Sequence, residues 1–205
     1  MSYFRRFFGH LKTILTHKKW VFRLMCKMGY PVRGFFHDMS KFSPVEFFEG
    51  VRYWNGSRSP INVAKERKGY SNAWFHHKGR NKHHYEYWID KIDDGGVPCK
   101  MPFECVVELI CDWLAAAITY EGSNPGKVFE TEYDWWQMKG VKAKIFPRTK
   151  DMISKILWNF KEYYTNYVKT DGMSEKRAEK KAIETVCSFV KGWKHEYNNR
   201  NDFDY

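Results

Sequence analysis

Apolar residues recur at helical spacing along most of this chain, and this periodicity limits its possible folds more than any other feature. Residues 3–28 carry two such stripes. One consists of Phe4, Phe7, Phe8, Leu11, Leu15, Phe22 and Met25, and the other of His10, Ile14, His17, Val21, Leu24 and Met28. Side chains three and four residues apart share one face of an α-helix. Strand patterns are absent except for short extended pieces near 140–146, so the sequence predicts an all-α fold.

Capping residues and helix breakers set the boundaries of the remaining predicted elements. Further helices are expected over 43–54, 102–121, 150–168 and 174–196. The Ser- and Pro-containing segment 56–69 is predicted as a loop. Residues 70–93 are predicted as two short helices joined by a polar turn around Gly79.

A length of 205 residues suits one domain. We expect residues 1–205 to form a single helical bundle whose core is 1–122. The segment 123–147 is predicted to be irregular, with one short helix around Trp135, and is a candidate lid. Two packing helices, apolar on one side and lysine-rich on the other, are expected to form a C-terminal hairpin over 148–205.

Charge points to anionic partners. The net charge is +11, from 35 Lys and Arg against 24 Asp and Glu, and the first acidic residue is Asp38. Such a field favours nucleotides, nucleic acid or phosphorylated metabolites, although it is also compatible with a merely solubilising surface. We expect an anionic small-molecule substrate, a nucleotide in particular, with nucleic acid as the alternative partner. Oligomeric state is left open.

Composition also limits the cellular setting. Aromatic residues make up 19% of the chain, which excludes a disordered protein. No run approaches the roughly 18 uncharged apolar residues of a membrane span, and basic residues interrupt the first apolar segment, unlike a signal peptide. Five cysteines without a CxxC pair indicate reduced thiols. We therefore expect a soluble, cytoplasmic protein with no membrane partner.

Histidines and acids concentrate in a few short stretches. These are His17 in the first helix, the adjacent His37 and Asp38, the pairs His76–His77 and His83–His84, and Glu108 and Asp112 in the helix after Pro102. Imidazole and carboxylate together are ligands of divalent transition metals. The two His pairs are embedded in aromatic residues, which favours a lined pocket over a solvated tract. The sequence predicts a metal site, with a structural histidine cluster as the alternative.

The order of these residues resembles that of the HD-domain superfamily of metal-dependent phosphohydrolases. His37 to Lys41 are similar to the superfamily's His–Asp signature with its following lysine, although the Gly-Tyr-Pro element of its HD-GYP branch is absent. The chain more closely resembles an uncharacterised family of small bacterial and phage proteins with the patterns HDxSKFSxxEF, HHxxxNxHHxEYW and CDWxA. Here these patterns cover His37–Phe47, His76–Trp88 and Cys111–Ala115. The second likeness implies no activity, so function rests on the superfamily.

The superfamily resemblance implies an HD-domain-like helical bundle that binds two divalent ions (Mn, Fe, Co, Ni or Zn). The first ion would be held by His17, His37, Asp38 and Asp112, with His10 as the competitor of His17. The second would be bridged by Asp38 and held by members of the set His76, His77, His83 and His84. Residues 1–122 would then form the metal-site core.

Hydrolysis by a metal-activated water would give roles to further residues, on chemical grounds. Asp38 and Lys41 would be catalytic, Lys41 by steadying developing negative charge. Arg80 and Lys82 would bind substrate phosphate, unless they merely belong to an exposed turn. Glu108 would accept a hydrogen bond from a ligand imidazole, or else lie on the helix surface.

The predicted function is a metal-dependent phosphohydrolase that acts on a nucleotide or related phosphoester. One alternative is an HD-type di-iron oxygenase, because the same ligand scaffold serves oxygen activation in some HD proteins. The other is a non-enzymatic, metal-stabilised module that binds nucleic acid or protein through its basic face.

Overall fold

A computed structural model of the protein describes residues 1–121 and 125–199. The α-helices in these ranges are α1 (Tyr3–Lys27), α2 (Pro31–Phe36), α3 (Pro44–Tyr53), α4 (Pro60–Lys68), α5 (Asn72–Lys78), α6 (Phe103–Glu121), α7 (Pro125–Met138), α8 (Pro147–Lys169) and α9 (Glu175–Asn199). Short 3-10 helices cover Met39–Phe42, Tyr85–Trp88, Ile92–Asp94 and Gly140–Lys142. The described residues thus form an all-α bundle, as the sequence predicts.

Helices α1 and α6 form the central pair of the bundle. Ser2 caps α1 by accepting a hydrogen bond from the backbone N–H of Arg5 at 3.4 Å. Of the two stripes on α1, the one that contains Ile14, Val21 and Leu24 is buried. The core residues of α6 include Val106, Leu109, Ile110 and Leu114. This contact holds His17 opposite Asp112, which is the first step in building the site.

The last two helices pack against each other as predicted. Apolar residues on their facing sides, such as Ile153, Phe160, Val186 and Trp193, are buried, whereas most of their lysines are exposed. Residues 200–205 lie outside the described part of the chain. The division of the chain into a core, a middle segment and a hairpin therefore stays a prediction.

The segment 123–147 is mostly helical rather than irregular where the structure describes it, whereas its expected role as a lid stays a prediction. Helix α7 occupies most of it and begins at Pro125. Val128, Phe129 and Trp136 are buried in the core, and the indole N–H of Trp136 donates to the Ser154 hydroxyl at 2.7 Å. Spacings of one, seven and eight residues place these three side chains on one helical face. Residues 122–124 lie outside the described part of the chain.

Two further sequence predictions require correction. The expected loop over 56–69 contains α4, with Pro60 in its first turn and Gly69 in the left-handed conformation after its end. The expected second helix through Trp88 is only a 3-10 turn, and it is followed by a two-stranded antiparallel hairpin, β1 (Ile89–Asp90) and β2 (Val97–Pro98). The segment near 140–146, expected to be extended, includes a 3-10 turn.

Within the described ranges, every helix is too short or too polar to cross a membrane.

Candidate metal centre

Asp38 lies at the centre of the candidate site, in the connection between α2 and the 3-10 turn Met39–Phe42. Its backbone is left-handed, with φ of 53° and ψ of 32°. Asp tolerates this conformation better than most residues. The sharp turn separates His37 from the following residues and buries the Asp38 carboxylate completely. The local backbone thus places a His and an Asp, adjacent in sequence, inside the bundle.

One group of potential ligands meets on the side of Asp38 that faces α1 and α6. Nε2 of His17 lies 2.9 Å from Oδ1 of Asp112, and Nε2 of His37 lies 3.2 Å from Oδ2 of Asp38. Each of these four buried residues offers one ligand atom, and the four atoms lie within 4.8 Å of one another. The set is the one that the sequence resemblance assigns to a first metal ion.

A second group meets at the other carboxylate oxygen. Nε2 of His77 lies 3.3 Å from Oδ1 of Asp38, and Nε2 of His83 lies 3.4 Å from the same oxygen. His84 completes this group, again with ligand atoms within 4.8 Å of one another. Asp38 is therefore the residue that the two groups share, with Oδ2 directed to the first and Oδ1 to the second.

Glu108 contacts the Nδ1 atoms of two imidazoles, on the side of each ring that faces away from Asp38. Glu108 Oε1 lies 2.9 Å from Nδ1 of His37 and 3.2 Å from Nδ1 of His83. Arg33 Nε lies 2.5 Å from Oε2 of the same carboxylate and balances its charge. Because an ionised carboxylate only accepts hydrogen bonds, these contacts place a proton on Nδ1 and leave Nε2 free as a ligand. A third potential ligand group, His37, His83 and Glu108, consists of these same contacts.

Glu46 on α3 plays the same part for the first His pair, and residue-by-residue analysis of the sequence missed it. Its oxygens lie 2.6 Å from Nδ1 of His76 and 2.7 Å from Nδ1 of His77. The signal was present, since Glu46 is the glutamate of the quoted HDxSKFSxxEF pattern. His76 belongs to neither of the groups centred on Asp38 in the described residues. Its imidazole is instead held at the Glu46 carboxylate.

Burial and charge set the protonation states of these groups. Burial, reinforced by the nearby Lys41 ammonium, lowers the pKa of His17 to about 4, so this imidazole is neutral at pH 7. Burial also lowers the pKa of His84. Burial opposes ionisation of Asp38, but the cationic groups of His37 and Lys41 outweigh it and hold the pKa of this carboxyl well below its usual range. Neutral imidazoles and ionised carboxylates are the forms that bind a metal.

His37 behaves differently from His17. Burial disfavours its charged form, yet the surrounding carboxylates of Asp38, Asp112 and Glu108 outweigh burial and raise its pKa. Hydrogen bonds from His37 and His83 in turn overcome the effect of burial on Glu108 and lower its pKa to about 2. The carboxylates around His37 therefore favour a positive charge at this point of the site.

Buried polar atoms without hydrogen bonds give an independent test of whether these residues fit a metal. Among the described residues, Nε2 of His17, His37, His83 and His84 and Oδ1 of Asp38 are buried without a hydrogen-bond partner of acceptable geometry, whereas Oδ2 of Asp38 is paired with Lys41. Leaving such atoms unsatisfied costs about 1–3 kcal/mol each. All of them point into the two groups around Asp38. The donor set fits divalent transition metals.

The remaining predicted residues lie around this centre. Lys41 Nζ lies 2.6 Å from Oδ2 of Asp38, and a quarter of its side chain is exposed. Burial works against the ammonium, but Asp38 and Asp112 outweigh it and raise the pKa of Lys41. His10, the competitor of His17, is buried but belongs to none of the described ligand groups.

Two cavities approach the centre from different sides. An open cleft of about 690 Å³ is lined by Arg80 and Lys82 together with Asp38 and His83. A more enclosed cavity of about 180 Å³ reaches the other side of the site. Its lining includes His17, Lys41, His77, His84 and Asp112. The centre is thus reachable from an open cleft, whose lining has both basic and acidic residues, and from a narrower chamber.

Comparison with known families and proteins adds one finding. A family model described as "Family of unknown function (DUF5662)" matches residues 6–159, which include all members of both ligand groups. A search of curated proteins and a search of solved structures gave no match.

Proposed function

The chain belongs to DUF5662, a family of unknown function, and from its site we propose that it is a metal-dependent phosphohydrolase that acts on a nucleotide or related phosphoester. The observation that carries this proposal is the position of Asp38. One carboxylate oxygen faces the group that contains His17 and His37, and the other faces the group that contains His77 and His83. A carboxylate shared in this way is typical of sites with two metal ions.

The residues that would hold the ions follow from the two groups. His17, His37, Asp38 and Asp112 would hold the first, and Asp38, His77, His83 and His84 the second. Bound divalent ions would supply Lewis-acid activation of water and of a phosphoryl oxygen. Mn, Fe, Co, Ni and Zn all suit this mixture of imidazole and carboxylate.

The protein's own side chains would position the substrate. Arg80 and Lys82 line the same cleft as Asp38 and His83, together with Glu104 and Glu108, so two cations lie within reach of an anion that enters it. Arg80 would contribute a planar fork that fits two phosphate oxygens, and Lys82 a point charge. Lys41, beside Asp38, would stabilise negative charge that develops on the phosphoryl group.

The order of the ligands along the chain supports the choice of hydrolysis. A helical histidine, then a His–Asp pair, then paired histidines and a helical aspartate resemble the HD-domain phosphohydrolases. The net charge of +11 supports an anionic substrate. A cytoplasmic location and a nucleotide rather than another phosphoester are further parts of this proposal.

The test is a hydrolysis assay on full-length protein purified without chelator. Phosphate release from nucleotides, cyclic dinucleotides and p-nitrophenyl phosphate would be measured with Mn, Co or Ni added. We expect turnover that falls by at least about 100-fold in Asp38→Ala, which removes the shared carboxylate. His195→Ala is the matched control, because His195 is exposed on α9 and outside both ligand groups.

Unchanged hydrolysis in Asp38→Ala would contradict the proposal. Iron in the purified protein together with oxygen consumption, and no phosphate release, would instead identify an oxygenase that uses the same ligands. Metal content without any turnover, combined with salt-sensitive binding of nucleic acid, would identify a binding module.

A further inference from the structure

Helix α1 leaves part of the stripe that begins at Phe4 in solvent, on the face opposite to the one that carries His17. Phe4, Phe8, Leu15 and Phe22 are 73, 63, 53 and 40% exposed. Their separations of four, seven and seven residues place them in one row along the helix. The row is about 27 Å long at 1.5 Å per residue. A continuous exposed apolar patch of this kind marks an interaction surface.

Helix α2 extends the patch beyond the end of this row. Phe35 and Phe36 are 62 and 63% exposed. The ring of Phe35 lies 6.4 Å from that of Phe22 and 5.1 Å from that of Phe36, measured between centroids. We call the set Phe4, Phe8, Leu15, Phe22, Phe35 and Phe36 the aromatic face. It combines residues from two helices into one surface.

Cations flank the aromatic face. At 100° per residue, Lys12 and Lys19 lie immediately beside the row on α1, with Arg5 and Arg23 slightly further round, and all four are exposed. No acidic residue precedes Asp38 in the chain.

One acid approaches the far end of the aromatic face. Glu179 lines a groove there with Phe22, but Lys176 and Lys180 line the same groove. The face is therefore apolar along its centre and cationic along its edge.

We infer that the aromatic face docks on an anionic lipid surface. A helix that buries large apolar side chains at the headgroup boundary and presents Lys and Arg beside them is the arrangement of an interfacial membrane helix. Each basic residue near such a surface adds attraction to anionic headgroups. The inference does not depend on the proposed hydrolysis. It differs from the expectation of no membrane partner, which rested on the absence of a spanning segment and stays untested.

Other occupants fit the same surface less well. In a symmetric contact with a second copy, the cations of one aromatic face would lie against those of the other, and of the described acidic residues only Glu179 approaches this face. Single-stranded nucleic acid is usually held in a groove that tracks its backbone. The row on α1 is convex, and its centre includes aliphatic Leu15.

The test is co-sedimentation of the full-length protein with lipid vesicles. Vesicles of phosphatidylcholine with about one third phosphatidylserine would be compared with pure phosphatidylcholine vesicles. We expect binding to the anionic vesicles that weakens with salt, and a fall in affinity of at least about tenfold in the double variant Phe8→Ser, Leu15→Ser. Lys12→Gln with Lys19→Gln should weaken binding only to the anionic vesicles.

Ile92→Ser is the matched control, because Ile92 is 71% exposed but lies on the connection between β1 and β2. Its binding should equal that of the unmodified protein. Circular dichroism would check that the variants fold. The inference is overturned if anionic vesicles do not bind the protein, or if the double serine variant binds them equally well. Two further assays test other occupants: sedimentation equilibrium detects a dimer, and an oligonucleotide assay detects a nucleic-acid complex. The inference is also overturned if the double serine variant loses the dimer or the complex but still binds the vesicles.

Discussion

Glu46 Oε2 lies 2.7 Å from Nδ1 of His77, and this contact directs the opposite ring nitrogen, Nε2, to within 3.3 Å of Asp38 Oδ1. A carboxylate behind a ligand imidazole fixes its tautomer and its orientation. Glu108 does the same for His37 and His83. The candidate centre is therefore an inner set of imidazoles and aspartates held in place by two outer glutamates.

Replacing Glu46 with Gln should weaken metal binding without removing a ligand. The amide has one oxygen that accepts hydrogen bonds and one NH2 group that only donates them. It therefore cannot accept from His76 and His77 at separate atoms, and the orientation of His77 is less well fixed. Losses of this kind typically cost about 10–100-fold in metal affinity. Isothermal titration with Mn or Zn would measure the change. Glu66→Gln, at an exposed position on α4, should leave the affinity unchanged; equal losses in both variants would contradict a specific role for Glu46.

Metal stoichiometry should separate the shared ligand from the unshared ones. Asp38 belongs to both groups, whereas Asp112 belongs to the first and His84 to the second. We expect Asp38→Ala to lower the metal content by about two ions per chain, and His84→Ala or Asp112→Ala by about one. Elemental analysis of protein purified without chelator gives the counts. If the content of the His84→Ala variant is as low as that of Asp38→Ala, the two groups do not bind independently and the assignment of separate sites fails.

His10 should make the protein less stable as the pH falls. Burial, together with the nearby Lys41, lowers its pKa from 6.5 in the unfolded chain to about 4 in the folded protein. Between these values the unfolded state binds the proton more readily, so the contribution of neutral His10 is present above pH 6.5 and is lost as the pH falls towards 4. The full effect is on the order of 3 kcal/mol.

Urea unfolding of the metal-free protein at several pH values would measure this contribution. The free energy of unfolding of His10→Asn should fall less steeply between pH 6.5 and 4 than that of the unmodified protein. His17 has a pKa lowered in the same direction, and its contribution remains in both proteins. Parallel curves for the two proteins would show that His10 does not titrate in this way.

Gly50 should not tolerate a side chain. A Cβ at this position on α3 would lie 2.1 Å from Nε2 of His10, which is buried between α1 and α3. Gly50→Ala should therefore lower the free energy of unfolding by about 1–3 kcal/mol through overpacking. The matched control is Gly192→Ala in α9, where a Cβ meets nothing within 4 Å. That change should stabilise the protein by about 0.5–1 kcal/mol, because alanine favours the helix. Denaturant unfolding measures both; a Gly50→Ala protein as stable as Gly192→Ala would refute the predicted close contact.

Helical regions with strong periodicity were predictable because the pattern is local. The sequence places α1, α3, α6, α8 and α9 close to their observed bounds. Weaker local signals misled the prediction at α4 and α7. The sequence pair Asn124–Pro125 suggested irregular structure, but burial of Val128, Phe129 and Trp136 stabilises α7 as a helix. Tertiary packing of this kind outweighs intrinsic propensity.

The candidate ligands were predictable as a set because imidazole and carboxylate side chains have few other reasons to cluster among aromatic residues. Their division was not. The sequence favours His77 over His76 only weakly, but the short helix α5 turns only His77 towards Asp38, while both rings contact Glu46. Successive helical residues point about 100° apart, so only the position of α5 against α3 decides which ring faces the centre.

The sequence by itself therefore determined a helical chain rich in metal-binding side chains, with two apolar stripes on α1 and a strongly basic character. Only the tertiary structure decided that the stripe with His17 is buried and that Phe4, Phe8, Leu15 and Phe22 of the other stripe are exposed. It also decided that Asp38, in its left-handed turn, directs one oxygen to each ligand group. The physical reason is that periodicity defines the faces of a helix, whereas the neighbours packed against the helix decide which face is removed from water.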